Sequence, residues 1–166
     1  MRYRYLPLLG CILVCACSDS QHVRREDQRK EDQRNMHTLN HPNGMSVRYN
    51  SEKLSAKQEQ SGFSFVDLMV PDRYRFTPGL EVSLDAGSEP SGSWPKSKML
   101  GGRRVHYRIE TSDDGGSGGR EYELKAWVPC SADRYLSIQQ HVQSHRDTPD
   151  FSAAWALLTG TTCPEH

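Results

Sequence analysis

Two runs of alternating residues flank a glycine-rich segment, and this pattern constrains the fold more than any other feature of the chain. Every second side chain is apolar from Val105 to Ile109, and again from Tyr122 to Val128. A period of two is typical of a strand with one buried face. The intervening residues 111–120 are rich in Gly and Asp, which favour turns. The pattern therefore predicts an antiparallel hairpin with a protruding tip.

Three further segments predict strands earlier in the chain. Residues 45–49 and 80–84 alternate between apolar and polar side chains, and residues 63–70 form an apolar run that Pro71 ends. The turn signal at residues 41–44, His-Pro-Asn-Gly, marks the start of the folded part.

Two segments near the C-terminus predict helices. Residues 133–145 place Tyr135, Ile138 and Val142 on one stripe. Residues 151–158 have apolar side chains at i, i+3, i+4 and i+7, after the Thr-Pro-Asp start signal at residues 148–150. Strands followed by helices predict the α+β class, an antiparallel β-sheet with helices packed on one face, in a single domain of residues 41–166.

The N-terminal residues 1–16 predict a lipoprotein signal peptide. They begin with two arginines, continue as an apolar run and end on a small residue, which is the pattern of a secretory signal. The sequence Val-Cys-Ala-Cys at 14–17 resembles the bacterial lipoprotein box, in which the chain is cut before the last cysteine and that cysteine is acylated with fatty acids such as palmitate. Cys17 is therefore the predicted lipid attachment site. The alternative is an ordinary secretory signal in which Cys17 is incidental.

Residues 17–40 predict a disordered, lipidated tether between the membrane and the domain. Their charges are mixed and they hold few apolar side chains, so they cannot bury enough surface to offset the entropy of ordering. The domain would face the periplasm from a lipid anchor. Ser18 favours the outer membrane, while Asp19 keeps the inner membrane open as the alternative.

Two cysteines, Cys130 and Cys163, remain in the predicted domain. A single pair in an oxidising compartment predicts one disulfide bond. The alternative is a pair of metal-binding or catalytic thiols, although neither cysteine lies in a Cys-x-x-Cys motif.

The remaining residues predict no catalytic site, no cofactor and no metal. His141 and His145 are four residues apart on the predicted first helix but lack the Glu of the zinc-protease motif. Asp113 and Asp114 lack the ligand spacing of a calcium loop. The balance of 21 Lys and Arg against 21 Asp and Glu gives no basic face for nucleic acid.

Surface recognition is the function that these patterns leave, because loops on a rigid scaffold carry many binding residues. Residues 88–98 form one candidate loop, with Trp94 as its anchor. The tip at 111–120 is the other. Its candidate contacts are Asp113, Asp114, Gly116 and Arg120.

The segments 41–49 (HPNGMSVRY) and 62–65 (GFSF), with the hairpin that leads to Cys130, resemble the lipoprotein immunity proteins of type VI secretion. The resemblance covers about residues 41–163. It implies a periplasmic inhibitor without catalytic residues, whose loops plug the groove of a secreted muramidase. Its partner would be a cell-wall hydrolase effector, and any calcium in such a complex would belong to that toxin.

Two other hypotheses compete with a toxin inhibitor. A housekeeping envelope lipoprotein, acting in assembly or peptidoglycan binding, would have the same lipid anchor and domain. An enzyme or carrier of small ligands would require a lined pocket that the sequence does not indicate.

Overall fold

The computed structural model describes residues 35–70, 79–112, 119–145 and 148–164. The predicted signal peptide, Cys17 and the tip residues 113–118 lie outside these ranges. The described strands in chain order are β1 (Met36–Asn40), β2 (Ser46–Asn50), β3 (Leu54–Gln58), β4 (Gly62–Asp67), β5 (Leu80–Ala86), β6 (Lys96–Leu100), β7 (Arg103–Ser112), β8 (Arg120–Pro129), β9 (Arg134–Ser144) and β10 (Thr161–Thr162). Helix α1 spans Ser152–Gly160.

The strands form two antiparallel sheets. The large sheet has seven strands in the order β3-β4-β5-β9-β8-β7-β6, and the small sheet has the order β1-β2-β10. The predicted hairpin is confirmed as β7 and β8, with His106 opposite Trp127 and Ser112 opposite Glu121. The strands predicted at 45–49, 63–70 and 80–84 correspond to β2, β4 and β5.

The predicted α+β class is wrong, because the described chain is mostly β-structure with one short helix. Residues 133–145 do not form the first predicted helix. They form β9, which pairs with β5 on one side and β8 on the other. Leu136, Ile138 and Gln140 alternate toward the interior and are buried. Because Gln140 is polar, the alternation of apolar and polar side chains is not visible in the sequence of this segment. Its backbone groups form hydrogen bonds with strands on both sides, which favours the extended conformation.

The second predicted helix is confirmed as α1, and polar groups from elsewhere satisfy its ends. Asp150 Oδ1 accepts a hydrogen bond from the Ser152 amide at 2.8 Å, and Gln140 Oε1 accepts one from the Ala154 amide at 3.2 Å. At the other end, Arg103 Nη2 donates to the carbonyl oxygens of Leu158 and Thr161. The first four amides and last four carbonyls of a helix lack partners within it, so these contacts stabilise α1.

The core contains buried side chains from both sheets and from α1. On the small sheet, the 41–44 signal is a tight turn, in which the Gly44 amide donates to the His41 carbonyl at 2.9 Å. The turn packs against the β3–β4 connection, where His41 Nε2 donates to the Glu59 carbonyl at 3.0 Å and Asn43 Nδ2 to that of Ser61 at 3.0 Å. The hydrogen bonds of this turn therefore fix the small sheet against the large one.

Two further features bear on the predicted domain. The compact unit that contains the described residues spans Asn35–His166, and its first strand, β1 (Met36–Asn40), lies within the range 17–40 of the predicted tether. Cys130 and Cys163 are joined by a disulfide bond with 5.6 Å between their Cα atoms. This bond ties the end of β8 to the residue after β10. Within the described ranges, we find no helix long and apolar enough to cross a membrane.

Candidate functional site

Trp127 interrupts the simple division of the large sheet into a buried and a solvated face. Its neighbours Ala126 and Val128 belong to the core, so Trp127 projects from the opposite side, which we call the outer face. It is nevertheless only 6% exposed. The His106 ring stacks on it with 4.8 Å between ring centroids, and Tyr135 meets it edge-on at 6.0 Å.

The loop of residues 87–95 covers the rest of Trp127. Trp94 packs edge-on against Trp127 with 6.3 Å between ring centroids. Trp94 Nε1 also donates to the Pro90 carbonyl at 3.2 Å, and the Gly87 amide donates to the Asp133 carbonyl at 2.7 Å. The loop is thus held both by the sheet and by its own backbone.

Arg108 fixes the same loop from β7. Its Cζ atom lies 4.8 Å from the centroid of the Trp94 ring, within the range of a cation–π interaction. The guanidinium also packs against Gly92, which has a φ of +110° and where an added Cβ would lie 2.8 Å from Arg108 Nη1. The backbone conformation therefore favours glycine at this position, and a larger residue would also displace the end of the Arg108 side chain.

We call Trp94, His106, Arg108, Trp127 and Tyr135 the aromatic cluster. Burial, together with the negative charge of Asp85, raises the pKa of Tyr135, so its hydroxyl stays protonated at neutral pH. Holding a loop of this length in one conformation costs roughly 1–2 kcal/mol per residue. The aromatic cluster offsets that cost separately from the main core.

A charge ladder crosses the outer face beside the aromatic cluster. Lys125 Nζ lies 2.8 Å from Glu123 Oε2 and 3.4 Å from Glu110 Oε2. Arg108 Nε lies 2.9 Å from Glu110 Oε1, and His141 Nε2 lies 3.2 Å from Glu123 Oε1. These five side chains form a half-exposed band over β7, β8 and β9 in which most charges are already paired.

The ladder shifts two pKa values. The hydrogen bond that Lys125 donates to Glu123 is the main cause of the raised pKa of Lys125. Partial burial acts to raise the pKa of Glu110, but hydrogen bonding to Lys125 and the charges of Lys125 and Arg108 outweigh it and lower the value. Both groups are therefore charged at neutral pH.

The structure separates the two loops that the sequence singled out. Trp94 lies half-buried over Trp127, and Lys96 and Lys98 of the predicted 88–98 loop belong to β6. Arg120 is exposed at the start of β8. Because Trp127 and Glu121 are six residues apart on β8, the Trp94 loop above Trp127 and the tip next to Arg120 are roughly 20 Å apart, with the charge ladder between them. Asp113, Asp114 and Gly116 lie outside the described residues, so their predicted contacts stay predictions.

Sequence reasoning did not single out His106, Arg108, Trp127 or Tyr135 as parts of a site. Trp127 itself was the feature of the sequence that could have indicated this cluster. A large aromatic side chain at the outward position of an alternating strand indicates that another segment covers it.

The arrangement is suited to binding a macromolecule. The outer face carries rigid aromatic side chains, paired charges and an ordered loop, the features with which protein surfaces recognise partners. In the part of the chain that the structure covers, no three His, Cys, Asp or Glu side chains are grouped to hold a metal ion.

Comparison with known proteins identifies the family. Residues 38–161 match the model of the type six secretion immunity 3 domain. The chain is 36% identical over 121 residues to "Immune protein Tsi3" of Pseudomonas aeruginosa, covering 73% of this chain and 78% of the relative. A crystal structure from Bacteroides thetaiotaomicron shares the fold, with a TM-score of 0.55 and 12% identity over 77% of this chain, although the match spans only 48% of that structure. The chain therefore belongs to the type six secretion immunity 3 family, and it is a type VI secretion immunity protein.

Proposed function

We propose that this immunity protein binds and inhibits a peptidoglycan-degrading effector, a muramidase, in the periplasm and so protects the cell that produces it. The observation that carries the proposal is the family match over residues 38–161. This range spans nearly all of the described fold, from β1 to the start of β10. The matched range therefore includes the scaffold, the charge ladder and the loop of residues 87–95.

The periplasmic location is supported by two features of the chain. The Cys130–Cys163 disulfide bond suits an oxidising compartment, since cytosolic thiols are kept reduced. The segment before the fold ends its apolar run at Cys17, the predicted site of acylation. Multiple acyl chains would anchor the protein stably, because each buried CH₂ contributes about 0.8 kcal/mol.

Inhibition would follow from steric exclusion. An inhibitor that acts without chemistry must cover the surface on which the hydrolase binds its polymeric substrate. The outer face and the loop of residues 87–95 provide an ordered surface for this, and an ordered surface loses little entropy when a partner binds.

The test is protection from a muramidase effector directed to the periplasm. Cells that express the effector should lyse without this protein and survive with it, and the purified pair should form a stoichiometric complex that no longer degrades peptidoglycan. Lysis at the same rate in both strains would refute the proposal. A wall defect in cells that lack this protein and meet no toxin would instead favour a housekeeping envelope role.

The lipid anchor is tested separately with Cys17→Ser. The substitution should move the protein from the membrane fraction to the soluble periplasmic fraction and leave the precursor uncut by the lipoprotein signal peptidase. Unchanged size and fractionation would show that Cys17 carries no lipid.

A further inference from the structure

We infer that the turn of residues 67–70, which follows β4, contacts the lipid leaflet to which the chain is anchored and so orients the domain on the membrane. This inference rests on the lipid anchor of the proposed function. It names a second membrane contact, made by the folded domain itself. The side chains that would enter the leaflet are those of Leu68 and Met69.

This turn exposes apolar side chains where turns are normally polar. Among the described residues, the exposed large hydrophobic side chains are Leu68 at 41%, Met69 at 72% and Met99 at 63%. Turns are normally built from Gly, Pro, Asn, Asp and Ser. A single exposed apolar residue needs no explanation, but Leu68 and Met69 are adjacent and together form a small patch.

The N-terminal segment joins the described fold beside this patch. The carbonyl oxygen of Asn35, the first described residue, accepts a hydrogen bond from the Ser51 amide at 3.0 Å. Two residues after Ser51, the Lys53 carbonyl accepts a hydrogen bond from the Leu68 amide at 2.8 Å. The entry point of the chain and the apolar turn therefore lie at the same end of the domain.

The length of the N-terminal segment favours the leaflet over other partners of the patch. Residues 18–34 separate the predicted lipid attachment site, Cys17, from the fold, and a chain of that length spans at most roughly 65 Å. Once the acyl chains are inserted, a contact between the domain and the leaflet is intramolecular and has a high effective concentration. A contact of small area is then sufficient, whereas a partner in solution has no such advantage.

The backbone of the turn is suited to a poorly hydrated environment. The Leu68 amide donates to the Lys53 carbonyl, and the Met69 amide donates to Asp67 Oδ1 at 2.8 Å. An amide without a partner would be costly to remove from water. Leu68 and Met69 can therefore enter the boundary between headgroups and acyl chains without losing hydrogen bonds at their amides.

Methionine methyl groups report this contact directly. The processed, lipidated full chain is labelled with ¹³C at these methyl groups and bound to nanodiscs of phosphatidylethanolamine and phosphatidylglycerol. Lipid with a spin label at the headgroup then broadens the NMR signals of methyl groups close to the leaflet. The Met69 signal should lose most of its intensity, and the signal of Met99, which is similarly exposed, should keep most of its own.

Met99 is a matched control because it lies toward the other end of the large sheet. The apolar turn follows β4 beyond the pairing of Phe65 with Leu80. Through the strand pairings, Leu80 is level with Ile109 on β7. Arg104, the partner of Met99, is five residues from Ile109 and so lies roughly 17 Å further from the turn.

A variant separates the apolar contact from mere proximity to the anchor. Leu68→Asp keeps the Met69 methyl group as the reporter and should restore its signal at least about twofold, because a carboxylate resists removal from water. Met99→Asp should leave the Met69 signal broadened. The methyl shift of Met45, which is fully buried, should stay unchanged in both variants and shows that they are folded.

The outcomes distinguish this inference from the proposed function. If the chain stays with the nanodiscs and protects cells, but Met69 and Met99 lose equal intensity, the inference alone is overturned. Broadening of Met69 by spin-labelled effector and not by spin-labelled lipid would also overturn it, because the patch would then belong to a protein interface. A chain that elutes apart from the nanodiscs would refute the lipid anchor and this contact together.

Discussion

Removal of the Cys130–Cys163 disulfide bond should destabilise the folded domain by several kcal/mol. The two cysteines are 33 residues apart in sequence, and the loop they close contains β9 and α1. In the unfolded chain this bond keeps residues 130 and 163 close together, and the double variant Cys130→Ala/Cys163→Ala removes that restriction. The denatured state gains entropy, so the free energy of unfolding decreases.

The magnitude follows from the loop length. For a closed loop of this size the chain-entropy relation gives about 3.8 kcal/mol at 25 °C. Both cysteines also pack against the main core, so the loss of their sulfur contacts adds to this value. For a folded unit that spans Asn35–His166, the expected decrease in melting temperature is roughly 10–15 °C.

Urea denaturation monitored by tryptophan fluorescence measures the effect at equilibrium. The double variant should unfold at a lower urea concentration than the wild type. Wild-type protein in dithiothreitol is the control, and it should lose a similar free energy of unfolding. The same reductant should leave the double variant unchanged, because that variant has no disulfide bond to reduce.

A loss below about 1 kcal/mol would refute the reasoning. It would mean that the unfolded chain already keeps β9, α1 and their flanking residues close together, so that the bond restricts little. A loss that appeared only in the variant and not in the reduced wild type would instead attribute the effect to packing of the cysteine side chains.

Three other predictions follow from the described contacts. Gly62→Ala should lower the free energy of unfolding by about 3 kcal/mol in urea titrations, because an added Cβ would lie 1.9 Å from the Val82 carbonyl oxygen. The control Ser55→Ala changes an exposed position on the neighbouring strand and should have no measurable effect. Arg103→Gln should lower the melting temperature through a loss of about 2 kcal/mol in the free energy of unfolding, since its guanidinium donates to two carbonyl groups at the end of α1. The same change at the adjacent, exposed Arg104 should not lower it. Equal effects of the two changes would contradict this role for Arg103. Lys125→Met should cost less than about 1 kcal/mol near pH 7. The part of this stability that comes from the raised pKa of Lys125 is lost as pH rises through that pKa, and the part that comes from the lowered pKa of Glu110 is lost as pH falls through that pKa. The difference in stability from the wild type should therefore shrink both in acid and in strong alkali, and a difference independent of pH would argue against pairing.

Local pattern was sufficient where each element carries its own signal. The β7–β8 hairpin has alternation on both sides of a glycine-rich turn, and α1 has apolar side chains at helical spacing after Asp150. The same reasoning failed at residues 133–145, where Tyr135, Ile138 and Val142 fit a helical stripe. It also stopped at residue 41, although β1 begins at Met36 and pairs with β2.

The amino-acid sequence by itself determined the hairpin, the last helix and the likeness to immunity proteins, because period, turn composition and motif are properties of neighbouring residues. Only the tertiary structure decided that β9 is a strand, since its backbone hydrogen bonds are made with β5 and β8, which are distant in sequence. It also decided that Trp94 packs edge-on against Trp127 and lies within cation–π distance of Arg108. That contact joins a loop to two strands, and no local pattern records which segment will cover an outward-facing side chain.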